Sequence, residues 1–218
     1  MNISHTHFTS LLKEKLRLPL PGEAAQFKMA HAARYSLATV APDTAKVASV
    51  MILLFPKEEN THFTLIERVQ TAGDVHSGQM SFPGGKRDFS DTDLAQTALR
   101  ETEEEIGVAQ KEIHLLGKLT PLYIPVSDFL VHPFVGSLSQ TPTFTPQPNE
   151  VRQILEIAFA DLLLPEVRKT TTLTVAKNIQ IENVKYFDLS DKIVWGATAM
   201  ILSEFLEVCN FFDSKIIS

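Results

Sequence analysis

The sequence predicts an α/β fold, a mixed β-sheet sandwiched between α-helices with an N-terminal helical extension. Three observations carry this. Residues 47–55 are an apolar run of the kind found in strands covered on both faces. Residues 92–106 place Ala95, Leu99, Thr102 and Ile106 on one stripe at helical spacing and stop at Gly107. Strand-like and helix-like segments alternate through the rest, an order that sets helices on both faces of a sheet.

At the N-terminal end, residues 4–18 have a helical rhythm through Phe8, Leu11, Leu12 and Leu16, stopped by Pro19 and Pro21. A Gly/Ala-rich stretch leads to Tyr35, and Pro42-Asp43 marks a turn. Residues 1–42 are expected to form a helical extension packed on a main domain of residues 43–218. After the apolar run, a charged turn at 57–60 returns the chain into a partner strand at 63–69. Residues 70–77 have no periodicity and read as a loop, and Met80 to Phe82 as a short extended piece. Pro83-Gly84-Gly85 is a sequence that no regular element tolerates well. Further strands are expected at 113–119, 131–138, 154–159, 173–176 and 184–187, and a final amphipathic helix over 197–212. Three prolines within 141–149 mark a surface loop.

Composition bounds the function. A chain of 218 residues fits one domain, or one domain with an appendage, and buries a sizeable core. Its net charge of −6 argues against a protein built to grip nucleic acid, because counterion release rewards a basic surface. The lone Cys209 excludes an internal disulfide and a cysteine-cluster metal site, and suits a reducing compartment. His5, His7, Lys13 and Glu14 interrupt any secretory pattern at the start. The run at 47–55 is far short of the roughly 20 residues a bilayer-crossing helix needs. A cytoplasmic location is expected, with no membrane partner.

The helix over 92–106 carries the chemistry. Glu101 and Glu105 lie one turn apart on a face beside the apolar stripe, with Glu104 on the same side and Glu103 towards solvent. Arg100 precedes Glu104 by one turn and is placed to pair with it. Like charges at this spacing repel, and they crowd the helix end where the macrodipole disfavours anions. A solvated acidic face is the plain reading of such a helix. A hard divalent cation between the carboxylates is the chemical one, because Mg²⁺ takes a few carboxylates plus phosphate oxygens and water. Just upstream, the paired glycines of Phe82-Pro83-Gly84-Gly85 let backbone approach a ligand closely.

With this turn followed by Arg100-Glu101-x-x-Glu104-Glu105-x-Gly107, the chain resembles the Nudix hydrolases. The resemblance implies a Nudix fold over residues 43–218 and hydrolysis of a pyrophosphate linkage with Mg²⁺ or Mn²⁺. It implies metal ligands at Glu101, Glu104, Glu105 and Gly84, with Arg100 orienting Glu104. The loop before the helix is one residue longer than the usual signature, and Asp91 or Asp93 stands near the position of a missing loop glutamate. A base for the attacking water is expected at Glu104, or at Glu150, which closes the proline-rich loop and whose plain reading is an exposed acid at a strand start.

Several segments resemble the coenzyme A pyrophosphatase branch. They are His76-x-Gly78-Gln79, Tyr123-x-Pro125-Val126, Val131-x-Pro133-Phe134-Val135-Gly136, Glu150-Val151 and Val194-Trp195-Gly196-x-Thr198-Ala199. That resemblance implies cleavage of coenzyme A, or its thioesters, into 3′,5′-ADP and 4′-phosphopantetheine. The upstream pattern of the branch is replaced here by Leu65-Ile66-Glu67, Gln70 and Asp74, and Asp74 stands where the branch carries an arginine. Arg68, Lys86 and Arg87 are candidates to bind the extra 3′-phosphate, with His76 and Gly85 as further substrate contacts. Two other readings stand beside this one. One keeps the mechanism with ADP-ribose, a dinucleotide or a nucleotide sugar as substrate; the other is a Nudix-fold binding module without turnover. Such modules typically lose the glutamates, which are all present here. Trp195 reads as a packing residue at a helix start, and Phe205, Leu206, Phe211 and Phe212 as core or homodimer contacts.

Overall fold

The longest strand organises the molecule. Strand β1 (Lys46–Lys57) turns through Glu58 and Glu59 into β2 (Asn60–Arg68), with Lys57 opposite Asn60. Both turn residues have positive φ, 49° and 63°, which matches the twist of a tight hairpin. The structure, a computed structural model, describes residues 3–70, 77–175 and 179–210. On its other side β1 pairs in parallel with β7 (Phe129–Ser137), from Lys46 opposite Phe129 to Leu54 opposite Ser137. Strands β3 (Met80–Ser81) and β8 (Val151–Ala158) pair with β2, and β5 (His114–Lys118) and β6 (Leu122–Ile124) pair with β7, all antiparallel. The sheet is therefore mixed, as the sequence predicts.

Both faces of β1 are buried, and alternation divides them. Met51, Leu53 and Phe55 point one way, with Ile66 of β2, against Ala98 and Ile106 of helix α3 (Leu94–Ile106). Ile52 and Leu54 point the other way, with Phe63 and Leu65, into a second cluster. That cluster includes Phe8 and Leu12 of α1 (His5–Lys15) and Leu202 and Phe205 of the last helix, α5 (Gly196–Val208). Each such side chain contributes about 1.5–3 kcal/mol when removed from water.

Three sequence expectations are corrected here. Helix α5 is not amphipathic: every residue from 198 to 205 is buried, because it lies between the sheet and the N-terminal segment. Its continuation to 212 lies partly outside the described residues. Gly84-Gly85 is not irregular, because β4 (Gly84–Lys86) pairs antiparallel with β1. The last strands do not join the main sheet. Strands β9 (Arg168–Val175), β10 (Ile179–Leu189) and β11 (Lys192–Val194) form their own antiparallel sheet, after a short helix, α4 (Phe159–Leu163).

The N-terminal segment docks on the face away from α3. The Phe8 ring meets Phe159 edge-on at 4.8 Å between centroids. A one-turn helix, α2 (Glu23–Gln26), packs on α5, where Glu204 is fully buried. That carboxylate accepts hydrogen bonds from Gly22 N at 3.1 Å, Gln26 Nε2 at 2.9 Å and Thr120 Oγ1 at 2.6 Å.

Candidate active site

Strand β4 reaches β1 because positions 84 and 85 have no side chain. A Cβ on Gly84 would lie 2.3 Å from the Ser49 carbonyl, and one on Gly85 would lie 2.5 Å from the Glu101 carboxyl carbon. Gly84 also sits at φ 151°, which disfavours other residues. The glycines thus let backbone run directly under the acidic helix.

Helix α3 begins at Leu94 because the Asp93 carboxylate accepts from Gln96 N at 2.8 Å, and it ends on Gly107 at φ 74°. Its buried residues are Thr97, Ala98, Thr102, Glu105 and Ile106. The packed stripe is rotated from the expected one: Ala95 and Leu99 are half-buried at its border, and Glu105 faces the sheet. Glu105 is 1% exposed and accepts from Gly84 N at 2.8 Å. Gly84 therefore meets the acidic helix through its N–H.

Burial pushes the Glu105 carboxyl up to about 8, against the Gly84 N–H and the nearby Arg68 charge, with Glu101 and Glu150 adding repulsion. Glu101 is raised for the same first reason, burial, with Glu104 and Glu150 contributing. Glu150 itself is exposed, just before β8, and its carbonyl accepts from Val69 N at 2.9 Å. Four carboxylates thus share one region.

Arg100 is the hub. It reaches Glu104 and Glu101 at 2.9 Å each through Nη1, and the Lys86 carbonyl at 3.2 Å through Nη2. Its fork also grips Asp91, a contact the sequence did not reveal. Asp91 is buried and further fastened by Thr97 Oγ1 at 2.9 Å and Asp88 N at 2.9 Å. The Arg100 guanidinium holds the Asp91 carboxyl well below the usual carboxylate range. Of the two acids near the expected loop position, Asp91 binds the arginine and Asp93 caps the helix.

The expected substrate contacts divide. Arg68 lies close enough to Glu105 for its charge to act there, inside the site. Lys86 and Arg87 are exposed on the strand end that carries Gly85, and neither forms an ion pair with a described residue. His76 and Asp74 lie outside the described residues. Trp195 is the half-buried N-cap of α5, its ring 6.2 Å from that of His31. Glu67, absent from the expected site, is held by Arg152 at 3.0 Å and Lys192 at 2.7 Å.

Among the described residues, no three His, Cys, Asp or Glu side chains close around a common point. The reason is visible in Glu104, which is 56% exposed and drawn to Arg100. The donor set nevertheless fits a hard cation. Glu101 and Glu105 are oxygen donors whose ionised forms are disfavoured by burial and by neighbouring carboxylates, and Mg²⁺ is usually held by one or two carboxylates beside the substrate's phosphates.

A mixed sheet between helices, with an acidic helix pinned on a Gly-Gly strand, is the arrangement the sequence resemblance implies for a hydrolase of diphosphate linkages. The NUDIX domain family matches residues 45–174, and the chain belongs to the Nudix hydrolase family. An uncharacterized Nudix hydrolase NudL of Photorhabdus laumondii is 31% identical over 162 residues, 74% of this chain and 84% of that one. Its counterpart in Yersinia enterocolitica is 32% identical over 75% of this chain and 81% of its own length. The chloroplastic Nudix hydrolase 22 of Arabidopsis thaliana is 33% identical over 72% of this chain and 53% of its own. In fold, the chain is similar to the Mycobacterium smegmatis Nudix hydrolase RenU, with a TM-score of 0.51 and 13% identity over 81% of this chain and 97% of that one. No helix among the described residues is long and apolar enough to cross a membrane.

Proposed function

We propose that this Nudix hydrolase cleaves the diphosphate of coenzyme A, or of its thioesters, to 3′,5′-ADP and 4′-phosphopantetheine. The observation that carries the substrate is the pair Lys86 and Arg87, exposed beside Gly85 and Glu101 and not engaged by any described acid. A 3′-phosphate bears close to two charges near neutral pH and needs such cations. The segments resembling the coenzyme A branch support the same reading.

The metal ligands in this reading are Glu101, Glu104 and Glu105, with the Gly84 carbonyl. A bound Mg²⁺ or Mn²⁺ supplies Lewis acidity at the diphosphate and offsets charge on the leaving phosphate. The chain's own residues do the rest. Arg100 orients Glu104 and fixes the helix against Lys86. Glu150 takes the proton of the attacking water, supported by its exposure and by its charge acting on both Glu101 and Glu105. Glu104 is the other candidate base, engaged by Arg100. Gly85 leaves room for the Glu101 carboxylate at the strand.

One observation favours the ADP-ribose, dinucleotide or nucleotide-sugar reading instead. Glu67 takes up both Lys192 and Arg152, so two cations near the end of β2 are partly neutralised. A panel of coenzyme A, dephospho-coenzyme A and ADP-ribose with Mg²⁺, with products identified by mass, separates the two. Faster turnover of ADP-ribose than of either coenzyme would replace the coenzyme A reading.

A further inference from the structure

Strand β9 is the last strand of the small sheet, whose order is β11-β10-β9. Among the described residues no strand lies along its outer edge. Exposed sheet edges present unpaired N–H and C=O groups, and monomeric proteins normally blunt them with charge, proline, bulges or shortness. Beyond the exposed Arg168 and Lys169 at its start, residues 170–175, Thr-Thr-Thr-Leu-Thr-Val, carry no charge, no proline and no glycine, and the register shift of the ladder, between Ile181 and Val184, lies on the β10 side. Five of the six are β-branched threonine or valine.

From Thr170 onward the strand alternates. Thr170, Thr172 and Thr174 are exposed on one face, and Thr171, Leu173 and Val175 are half-buried on the other. Across the register, Leu173 and Val175 face Ile181 and Ile179, and Ile179 is 55% exposed. An apolar, half-covered stripe therefore runs beside the open edge.

We propose that β9 is the surface through which two copies of this chain pair, edge to edge and antiparallel, centred on Thr172. An unpaired edge calls for an extended strand, and β9 is complementary to itself. About a two-fold axis through Thr172, Thr170 meets the partner's Thr174 and Thr172 meets itself, giving a threonine ladder on the outer face. Leu173 and Thr171 pair on the inner face. Charge selects the direction. Parallel pairing would set Arg168 and Lys169 beside their copies, about 4.8 Å away, whereas the antiparallel arrangement separates the two Arg168 residues by roughly 27 Å along the strands. The assembly stops at two, because the sheet's other end is the three-residue β11, packed beside β3. The interface is independent of the substrate reading.

The test is sedimentation of the full chain at micromolar concentration, with the variants Thr172→Lys and Thr172→Cys. The native protein should sediment at twice 24.3 kDa, and Thr172→Lys at the single mass with an unchanged circular dichroism spectrum. Cys209, the one native thiol, is buried, so mild oxidation of Thr172→Cys should give a reducible dimer over a blank background. A native monomer, or a Thr172→Lys protein that remains dimeric, would overturn the proposal. Should Thr172→Lys misfold, the cysteine variant decides, and absence of the cross-linked dimer counts against the interface.

Discussion

Arg100 holds Asp91 with two parallel hydrogen bonds, Nε to Oδ1 at 2.9 Å and Nη2 to Oδ2 at 3.0 Å, while the same guanidinium reaches Glu101 and Glu104. The arginine thus ties the loop before α3 to the two acids behind it. Removing Asp91 leaves a half-buried cation with a broken fork. Asp91→Asn is expected to destabilise the protein by about 2–3 kcal/mol, read from urea unfolding, and to lower kcat in parallel.

Arg100 spends its guanidinium on the carboxylates of Asp91, Glu101 and Glu104 and on the Lys86 carbonyl, a positioning role. Arg100→Gln should therefore lower kcat roughly ten- to a hundredfold with KM nearly unchanged. Steady-state kinetics on any accepted diphosphate substrate checks this. A change confined to KM would place Arg100 on the substrate.

Glu105 separates stability from activity. Its carboxylate is buried, near the charges of Glu101 and Glu150, and Gly84 supplies a single N–H. Glu105→Gln keeps an acceptor for that N–H and removes the charge. In chelator the variant should be more stable than the native protein by about 1–3 kcal/mol, yet in Mg²⁺ its kcat/KM should fall roughly hundredfold or more. Equal activity would remove Glu105 from the metal ligands.

Three histidines contribute to the acid response of the fold, against the opposite slope of the raised carboxyls of Glu101 and Glu105. His5, His31 and His132 are each held below their ordinary value near 6.5, first by burial. The unfolded chain then binds protons that the folded chain resists. Stability contributed by the neutral rings is present above 6.5 and falls as the pH drops below it. His5 bridges Thr61 Oγ1 and the Leu138 carbonyl, so on going from about pH 7.5 to about pH 5.5 the urea midpoint of His5→Asn should shift upward relative to that of the native protein.

Glu204 fastens the N-terminal segment. Glu204→Gln sets an NH₂ group against the donors of Gly22, Gln26 and Thr120 in a dry interior. The expected cost is about 2–4 kcal/mol. Limited proteolysis should cut near residue 22 well before the native protein is cut.

Much of this was legible in the residues. The apolar run at 47–55 announced a strand covered on both sides, and the spacing from Arg100 to Glu104 announced their ion pair. The turn of α3 was misjudged because periodicity treats glutamate as outward-facing, while Gly84 donates to Glu105 and draws it towards the sheet. The Gly-Gly strand was hidden because propensity rejects glycine in sheets, although here its missing Cβ is what admits the pairing. Asp91 is legible as a loop acid, but its bond to Arg100 is not, since that partner is nine residues on and faces it only once the helix is formed. The separate small sheet was also hidden, because strand pattern says nothing about which edge a strand joins.

The bond between Gln26 and Glu204 spans 178 residues of chain. During synthesis at about 5–20 residues per second, the first segment leaves the ribosome roughly 9–36 s before its carboxylate partner does. Phe8 and Leu12 spend that interval without the last helix over them, and β1 waits for β7 to cover its second edge. The nascent chain therefore carries its most apolar strand half-dressed through most of translation, and chaperone capture should concentrate on the first third of the protein.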